Sequence, residues 1–600
     1  MEDALKQNRE AELAIGATAA NFFAAIQRLV VTRKAELVCA ALLLLMAVNL
    51  FAQISRKSIT NDELVHIPAG YYHLVAGKFQ LNNEHPPLIK MWAALPLLFI
   101  QPTEEAHEAP EESKGTFAEE TWKYLDQFWS NNRAHFASIS FWCRAMMVPI
   151  TLGLGVLIFV YARQLFGARA ALFAVALYSL EPTVLAHGRI VHTDLPAAFA
   201  YLLFFLAVRY YLLQRTTGRV ALLGLASGFA LVVKFSMIVL LPVLACLAVA
   251  GFIFARRLQQ DRKRLVLHLG VIVCLILLVV NAVYSFRRPP LEAADVKWVQ
   301  IMSPDAANHW MTFFQLGSKV VPTYWLFGQY NVKLHNRDGH PSSLLGQYKR
   351  TGWWYYFPVA FALKTTLPSL ILSLAGLAWA FWCLSKKDWR FLWLIAPFAI
   401  YAALSMSSSI NIGVRHFLPA FPFLFIMAGV FLDRLLRISY GKHLAVALVS
   451  LMFAWTSIEI LRSYPDYIPY MNQLASSHPH WWYLSDSNVE WGDDAAALAD
   501  YLHARGETEV KGALLGAWGS LHLYDIHYYE IFPKPGRYIP DTRYVAIGAS
   551  FLNGSTIAVP PDESGKLISE EQRINDLANF RNQTPEMIFG NSIYLYRVRD

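Results

Sequence analysis

Residues 36–54 read ELVCAALLLLMAVNLFAQI, an apolar run that begins with one acid and carries no other charge. A helix of about 20 such residues is long enough to cross the hydrocarbon core of a bilayer. Ten further runs of similar character follow, at residues 143–162, 169–185, 194–212, 219–236, 238–254, 265–285, 367–384, 390–407, 416–432 and 443–461. The sequence therefore predicts a polytopic α-helical membrane protein with about 11 transmembrane helices.

Composition supports this class. Of the 600 residues, 55% are hydrophobic and 16% are charged, whereas soluble proteins carry about 25% charged residues. The formal net charge is +8, but the basic residues lie in short loops between apolar runs, so membrane topology explains them better than nucleic-acid binding. The five cysteines lie in or beside apolar runs, which favours neither a disulfide framework nor a zinc site.

The charge of the short loops predicts the orientation. Cytoplasmic loops of membrane proteins are enriched in lysine and arginine. The loops at one end of the bundle carry Arg28, Arg33, Lys34, Arg163, Arg169, Arg209, Arg215, Arg219, Arg256, Arg257, Arg262, Lys263, Arg264, Lys386, Lys387, Arg390, Arg434, Arg437 and Lys442. We therefore expect this end in the cytoplasm and the long polar segments 55–142, 286–366 and 462–600 outside it.

Three parts follow along the chain: a cytoplasmic N-terminal segment (1–35), a transmembrane domain (36–461) and a small extracytoplasmic α/β domain (462–600). In the last part, an amphipathic helix is predicted from Asp493 to Arg505. Strands are predicted at Val510–Leu515, Tyr544–Ile547 and Ile593–Val598. An acidic stretch from Glu104 to Glu120 interrupts the first long loop and is expected to be mobile.

The first two motifs lie in that loop. Asn61-Asp62-Glu63 places paired acids just outside the first span, where they can act as a general base and as a hydroxyl or metal ligand. The alternative is that Asn61 or Asp62 caps a helix. His85-Pro86-Pro87-Leu88-Ile89-Lys90 offers His85 and Lys90 to a phosphate; the alternative is an interfacial helix start with a snorkelling lysine.

Three more motifs lie at ends of spans. Residues 187–196 read HGRIVHTDLP and contain Asp194. Ionisable groups at membrane depth usually face a cavity or each other, although Asp194 or Thr193 can also cap the next helix. Lys234 ends one apolar run and Arg415 begins another, and both suit an anionic lipid head group. Interfacial snorkelling is the alternative for each of these cations.

The candidate residues share one predicted side of the membrane. Random placement would scatter them over both faces, so their convergence predicts one outward-facing polar site. The residues are Asp62, Glu63, His85, Asp194, Lys234 and Arg415.

These motifs occur in the same order in the GT-C membrane glycosyltransferases, which residues 36–500 resemble. The resemblance is strongest to the bacterial branch of glycosyltransferase family 39, the protein O-mannosyltransferase-like group. The lipid A aminoarabinose transferases are also similar, but they have a lysine at the position of His85. The segments GWWYYFP (352–358) and DSNVEWGDD (486–494) also look like this bacterial branch.

The resemblance implies that a sugar moves from a polyprenyl-phosphate-linked donor to an acceptor hydroxyl, with inversion, at the outer face of a bacterial inner membrane. Asp62 would be the base, Glu63 its neighbour in acceptor or metal binding, and Asp194 the second acid. The donor phosphate would be held by His85, Lys90, Lys234 and Arg415. A lipid, glycan or protein acceptor stays open, as does a divalent cation; no metal ligand is assigned.

Two other classes of function remain. A transporter or flippase of lipid-linked sugars would also explain the spans and the charges at membrane depth, but it predicts inverted repeats and interrupted helices, and neither is visible in the sequence. A non-catalytic binding or scaffold protein at the outer face would tolerate the loss of both Asp62 and Asp194.

Overall fold

The computed structural model describes residues 33–103, 117–254, 261–437, 441–532, 540–556 and 577–598. Most of the N-terminal segment, residues 1–32, lies outside the described residues. So do residues 104–116 of the acidic stretch and two of the basic loop residues, Arg256 and Arg257.

Each predicted span is helical. Nine helices in the described ranges are long and apolar enough to cross a membrane: Lys34–Ile54, Arg133–Phe166, Asp194–Leu213, Phe235–Ile253, Arg262–Val283, Leu367–Ser385, Trp389–Met406, Val414–Leu435 and Lys442–Ser463. The other two predicted spans form the shorter apolar helices Ala168–Ser179 and Thr217–Val233. The first of these is short because a new helix, Pro182–His187, begins at a proline. The second ends at the extended residue Lys234. The chain is therefore a polytopic helical membrane protein.

Small residues allow close packing at the centre of the bundle. Val414–Leu435 is the most buried span and Asp194–Leu213 the next. A Cβ on Gly429 would lie 2.5 Å from the carbonyl oxygen of Ala170, and one on Gly376 would lie 2.5 Å from the backbone nitrogen of Ala428. Such contacts between backbones are typical of helix packing in membranes, and they hold Val414–Leu435 closely against Ala168–Ser179 and Leu367–Ser385.

The two long loops are largely helical. The first contains Asn61–Ala76, Pro87–Ala94, Leu97–Ile100 and Phe117–Asn131. The second contains Ala293–Met302, Ala307–Gly317, Thr323–Asp338, the hairpin β1 (Ser342–Leu344) and β2 (Gln347–Lys349), and Tyr356–Lys364. Pro87 opens its helix as predicted.

The C-terminal domain contains a five-stranded mixed sheet. Its strands are β3 (Glu509–Ala513), β4 (His527–Glu530), β5 (Tyr544–Gly548), β6 (Met587–Phe589) and β7 (Ile593–Arg597), in the order β4-β3-β5-β7-β6. Strand β3 is parallel to β4 and β5, whereas β7 is antiparallel to β5 and β6.

The sequence predicted three of these strands. It missed the edge strands β4 and β6, which are too short for a clear alternating pattern. The predicted amphipathic helix runs from Ala495 to His503 and packs its apolar face on the sheet.

Residues 486–494, which we call the strap, join this domain to the membrane bundle. The backbone N–H of Ser58 donates to the Asp493 carbonyl (2.9 Å), and that of Asn61 donates to the Trp491 carbonyl (2.8 Å). A further bridge pairs Leu344 with Leu484. Both long loops therefore lie on the same side of the bundle as the domain, here called the loop side. That the loop side is extracytoplasmic stays a prediction.

Candidate active site

The two adjacent acids Asp62 and Glu63 face different surroundings. Thr60 caps the Asn61–Ala76 helix, and its backbone and hydroxyl both donate to Glu63 Oε2. Arg144 donates to both Glu63 oxygens at 2.9 Å. Burial raises the pKa of Glu63, but Arg144 outweighs this and holds it at about 2. Glu63 therefore fixes the start of the helix, and only Asp62 opens into the cavity described below.

One nitrogen atom of Arg415 bridges the carboxylates of Asp62 and Asp194 by hydrogen bonds. Nη1 of Arg415 lies 2.8 Å from Asp62 Oδ2 and 3.3 Å from Asp194 Oδ2. Lys234 forms an ion pair with the other oxygen of Asp194. Residues predicted as separate motifs thus meet in one place, called the site cluster: Asp62, Asp194, Lys234 and Arg415.

Surface access differs within the site cluster. The side chain of Asp62 is 20% exposed and that of Asp194 is 2% exposed. Burial raises the pKa of Asp62, but the Arg415 guanidinium more than offsets this and holds it below its ordinary value. Asp62 is therefore the ionised carboxylate that a molecule in the cavity can reach.

The strap positions Arg415. Its Nε donates to Ser487 Oγ at 3.0 Å, and its guanidinium lies over the Trp491 ring, 4.0 Å from the centroid. The carbonyl of the same tryptophan accepts from Asn61, the first residue of the helix that carries Asp62. Trp491 thus helps to position both partners of the Arg415–Asp62 ion pair, Arg415 through its ring and Asp62 through its backbone carbonyl. The motif that contains Trp491 belongs to the predicted resemblance, but the sequence indicates no role for this residue because its partners Asn61 and Arg415 lie far from it along the chain.

His85 also lies at the site, but as a neutral group. Its Nδ1 is 3.5 Å from Thr193 Oγ1, and its ring packs edge-on against His66, 5.2 Å between centroids. Burial, together with the nearby His66 and Lys234, lowers the pKa of His85 well below its ordinary value. His85 can therefore offer a phosphate a hydrogen bond but no positive charge.

His66 was missed by the sequence analysis. It lies one turn after Asp62 on the same helix face, a spacing that could have revealed it. Its Nδ1 lies 2.8 Å from the Val191 carbonyl, to which it donates. Burial lowers the pKa of His66 to about 4, so it is a neutral neighbour of the site cluster.

Lys90 does not reach the cavity. Its ammonium donates to the carbonyl and side-chain oxygen of Asn82, at 2.6 and 3.2 Å. Burial lowers the pKa of Lys90 to about 7, so its positive charge is partly lost at neutral pH. These contacts favour a structural role that closes the loop before the Pro87–Ala94 helix, in place of the predicted phosphate contact.

The site cluster opens into a cavity of about 1290 Å³. Its walls include Asp62, His85, Lys234 and Arg415, together with apolar residues at the ends of spans, such as Ile238 and Leu404. The C-terminal domain also contributes to the wall. Within the described ranges, no group of three or more His, Cys, Asp or Glu residues is arranged to hold a metal ion. The cavity therefore joins charged groups, apolar helix ends and residues of the C-terminal domain.

Comparison with known proteins adds one family match. Residues 135–284 match the family model described as dolichyl-phosphate-mannose-protein mannosyltransferase. This match confirms the predicted resemblance for that part of the chain. It includes Asp194 and Lys234, whereas Asp62, His85 and Arg415 lie outside it. No curated protein matches the chain significantly.

Two solved structures show limited similarity. They are ArnT from Cupriavidus metallidurans bound to undecaprenyl phosphate (TM-score 0.45) and the same protein in the apo state (TM-score 0.46). Each is 14% identical in sequence, and each comparison covers 85% of this chain and 92% of ArnT.

Proposed function

We propose that this protein transfers a sugar from a polyprenyl-phosphate carrier to an acceptor hydroxyl, with Asp62 as the general base. The observation that carries the proposal is the accessible carboxylate of Asp62, which lies next to Arg415 in a cavity that also presents Lys234. The matched family description, which names dolichyl-phosphate-linked mannose as donor and a protein as acceptor, supports the class of donor. Mannose itself and the kind of acceptor are not assumed.

The cavity suits a lipid-linked anion. Lys234 and Arg415 supply positive charge, and His85 adds a neutral hydrogen-bonding ring. Apolar residues of the spans Phe235–Ile253 and Trp389–Met406 line the same cavity, so a prenyl chain could pass between helix ends while its phosphate stays beside the cations. A nucleotide sugar would have no need of these apolar helix ends.

The Arg415–Asp62 ion pair suggests how the base is activated. A carboxylate with a lowered pKa is a weak base. When the donor phosphate binds Arg415, it competes with Asp62 for the guanidinium, and the pKa of Asp62 rises toward its ordinary value. Donor binding thereby prepares Asp62 to accept a proton from the acceptor hydroxyl.

The reaction is then one displacement at the anomeric carbon. The acceptor oxygen forms a bond to that carbon as its proton passes to Asp62, and the bond from the carbon to the phosphate oxygen breaks. Polyprenyl phosphate leaves with an added negative charge, which Lys234 and Arg415 stabilise. A single displacement inverts the configuration. Asp194 positions both cations through its ion pairs with them.

We place this reaction on the extracytoplasmic side of a bacterial inner membrane. The described short loops on the side away from the domain carry the arginines and lysines, including Arg163, Arg169, Arg390 and Arg434, as expected for a cytoplasmic face. The loop side, with the cavity and the C-terminal domain, would then face outward.

The test is the Asp62→Asn variant of the full-length protein in lipid nanodiscs, assayed with polyprenyl-phosphate mannose and glucose for sugar release to water or to a membrane-extract acceptor. Loss of the base should lower turnover about 10²–10⁴-fold, with an unchanged melting temperature. Asp388→Asn, at the opposite end of the bundle, is the matched control and should keep wild-type turnover. Wild-type turnover by Asp62→Asn would refute the proposal.

A further inference from the structure

The cavity has two chemically different halves. The membrane half, formed by the bundle and its two long loops, carries the cations Lys234, Lys333 and Arg415. The domain half is formed by the C-terminal domain and includes Leu515, Trp518, Tyr528, Glu530, Phe551 and Thr556. Among the described cavity residues, the C-terminal domain contributes no lysine or arginine. An anionic donor therefore has its partners in the membrane half, which leaves the domain half for another ligand.

The domain half lies where open α/β sheets bind ligands. Strands β4, β3 and β5 are parallel neighbours, with β3 in the middle. After β3, the chain forms β4 on one side of it and then β5 on the other side. This change of direction is a topological switch point, and it lies between the carboxyl ends of β3 and β5. Ligands bind in the crevice at such points. Leu515 follows β3 and Phe551 follows β5, and both line the cavity.

This crevice already holds a carboxyl group of the protein itself. Oε1 of Glu490 accepts a hydrogen bond from the Leu515 backbone N–H (2.7 Å), and Oε2 accepts one from the Ser550 N–H (3.0 Å). A Cβ on Gly548 would lie 1.9 Å from Oε1, so only glycine leaves room for the carboxyl group. The backbone donors that could bind a phosphate are therefore occupied, which disfavours an anionic ligand.

A fixed turn presents an aromatic ring to the cavity. Gly516 has φ of 79° and packs so closely on the helix start that a Cβ there would lie 2.9 Å from the Asn61 Cβ. Two residues later, Trp518 lines the cavity with 38% of its surface exposed, although its neighbours Ala517 and Leu521 are buried. The Trp518 turn thus rests on the residue that precedes Asp62.

We infer that the domain half is the acceptor subsite and that it takes an uncharged carbohydrate ring stacked on Trp518; this inference rests on the proposed function. A sugar ring can lay its C–H face on an aromatic ring and donate its hydroxyl hydrogens to a carboxylate such as Glu530. The Trp518 turn packs on Asn61, and both Trp518 and Asp62 line the same cavity, so a ring held on Trp518 shares the cavity with Asp62.

A peptide acceptor fits this half less well. An extended peptide would bind by pairing with the exposed edge of β4. The cavity, however, contacts β4 through Tyr528 and Glu530. These residues are two positions apart on the strand, so their side chains point to the same face of the sheet. The cavity therefore borders a face and the strand ends, not the edge where a peptide would pair.

The test is binding of uncharged trisaccharides of mannose, glucose and galactose to the full-length protein in nanodiscs, measured by saturation-transfer-difference NMR without donor. The wild type should bind at least one of them. Trp518→Ala should weaken that affinity at least about tenfold, and Trp518→Phe, which keeps a ring, should stay within about threefold. Trp389→Ala is the matched control, because Trp389 is exposed at the opposite end of the bundle.

Three outcomes would overturn the inference: no binding of any trisaccharide by the wild type, unchanged binding by Trp518→Ala, or binding of a serine- and threonine-rich peptide that depends on Trp518. Because donor is absent, the result is independent of the donor assay. Wild-type turnover by Asp62→Asn would refute the proposed function, while the trisaccharide measurement would still decide whether the domain half binds carbohydrate.

Discussion

Two charge clusters on the loop side have similar composition and different surroundings. The site cluster opens into the cavity through Asp62. The second, which we call the docking cluster, consists of Lys57, Arg189, Asp493 and Asp494, and the side chains of all four are at most 4% exposed. It holds the strap against the end of the first span. Burial lowers the pKa of Lys57, but the acids Asp494, Asp493 and Asp466 outweigh this and raise it. The comparison shows that access to a cavity, and not residue type, distinguishes a candidate site from a buried cluster that stabilises the fold.

The largest expected effect is the loss of stability in Lys57→Met. This change leaves Asp493 and Asp494 without their lysine in a buried position, which should lower the free energy of unfolding by about 3–5 kcal/mol. Thermal unfolding of the purified protein measures it. Turnover per folded molecule should change little, because Lys57 does not line the cavity. A variant that melts at the wild-type temperature but has lost turnover would reverse the roles of the two clusters.

The second effect concerns activity. Arg415→Lys keeps a positive charge but loses the planar group that bridges the two acids and stacks on Trp491. Turnover should fall about 10²-fold, the loss typical of one stabilising donor, while the melting temperature stays within a few degrees of the wild type. The matched control is Arg163→Lys, in an exposed ion pair away from the cavity. Full turnover by Arg415→Lys would show that the bridge has no catalytic value.

The sequence predicted these two clusters unequally. The spans and the residues Asp62, Asp194, Lys234 and Arg415 were found because apolar length and charge at membrane depth are local signals. The docking cluster was not predicted, since Lys57 and Asp494 are 437 positions apart and only the fold brings them together. Glu63 shows the same limit: its motif suggests chemistry, but its partner Arg144 is 81 residues away.

The third prediction is a pH effect that again separates the clusters. Without donor, Arg415 holds the pKa of Asp62 below its ordinary value of 3.8. The pH profile of kcat/KM for the donor reports this free enzyme, so the wild-type kcat/KM should not fall until the pH drops below that value. Weakening the ion pair in Arg415→Lys raises the pKa of Asp62, and its protonated, inactive form then appears at higher pH. The acid limb of the pH–rate profile should therefore move upward. The corresponding profile of Lys57→Met should keep the wild-type limb. An unmoved limb in Arg415→Lys would mean that the ion pair does not control the base.

The smallest expected effect is in Glu490→Gln, between the strap and the sheet. Burial raises the pKa of Glu490 from 4.5 to about 8. Between these values the folded protein holds a proton that the unfolded chain has released, so stability should fall as pH rises from about 4.5 to 8. Glutamine cannot ionise, and Glu490→Gln should lack this part of the pH dependence. At pH 6 the native group is mostly protonated, but the amide nitrogen of glutamine cannot accept the backbone hydrogen bond that one of the two carboxyl oxygens accepts. The free energy of unfolding should therefore fall by about 1–2 kcal/mol at this pH. Melting curves of both proteins from pH 5 to about 9 measure the difference. If the two proteins lose stability equally across that range, Glu490 is already ionised in the folded domain. Its charged carboxylate would then accept the two backbone hydrogen bonds throughout the range.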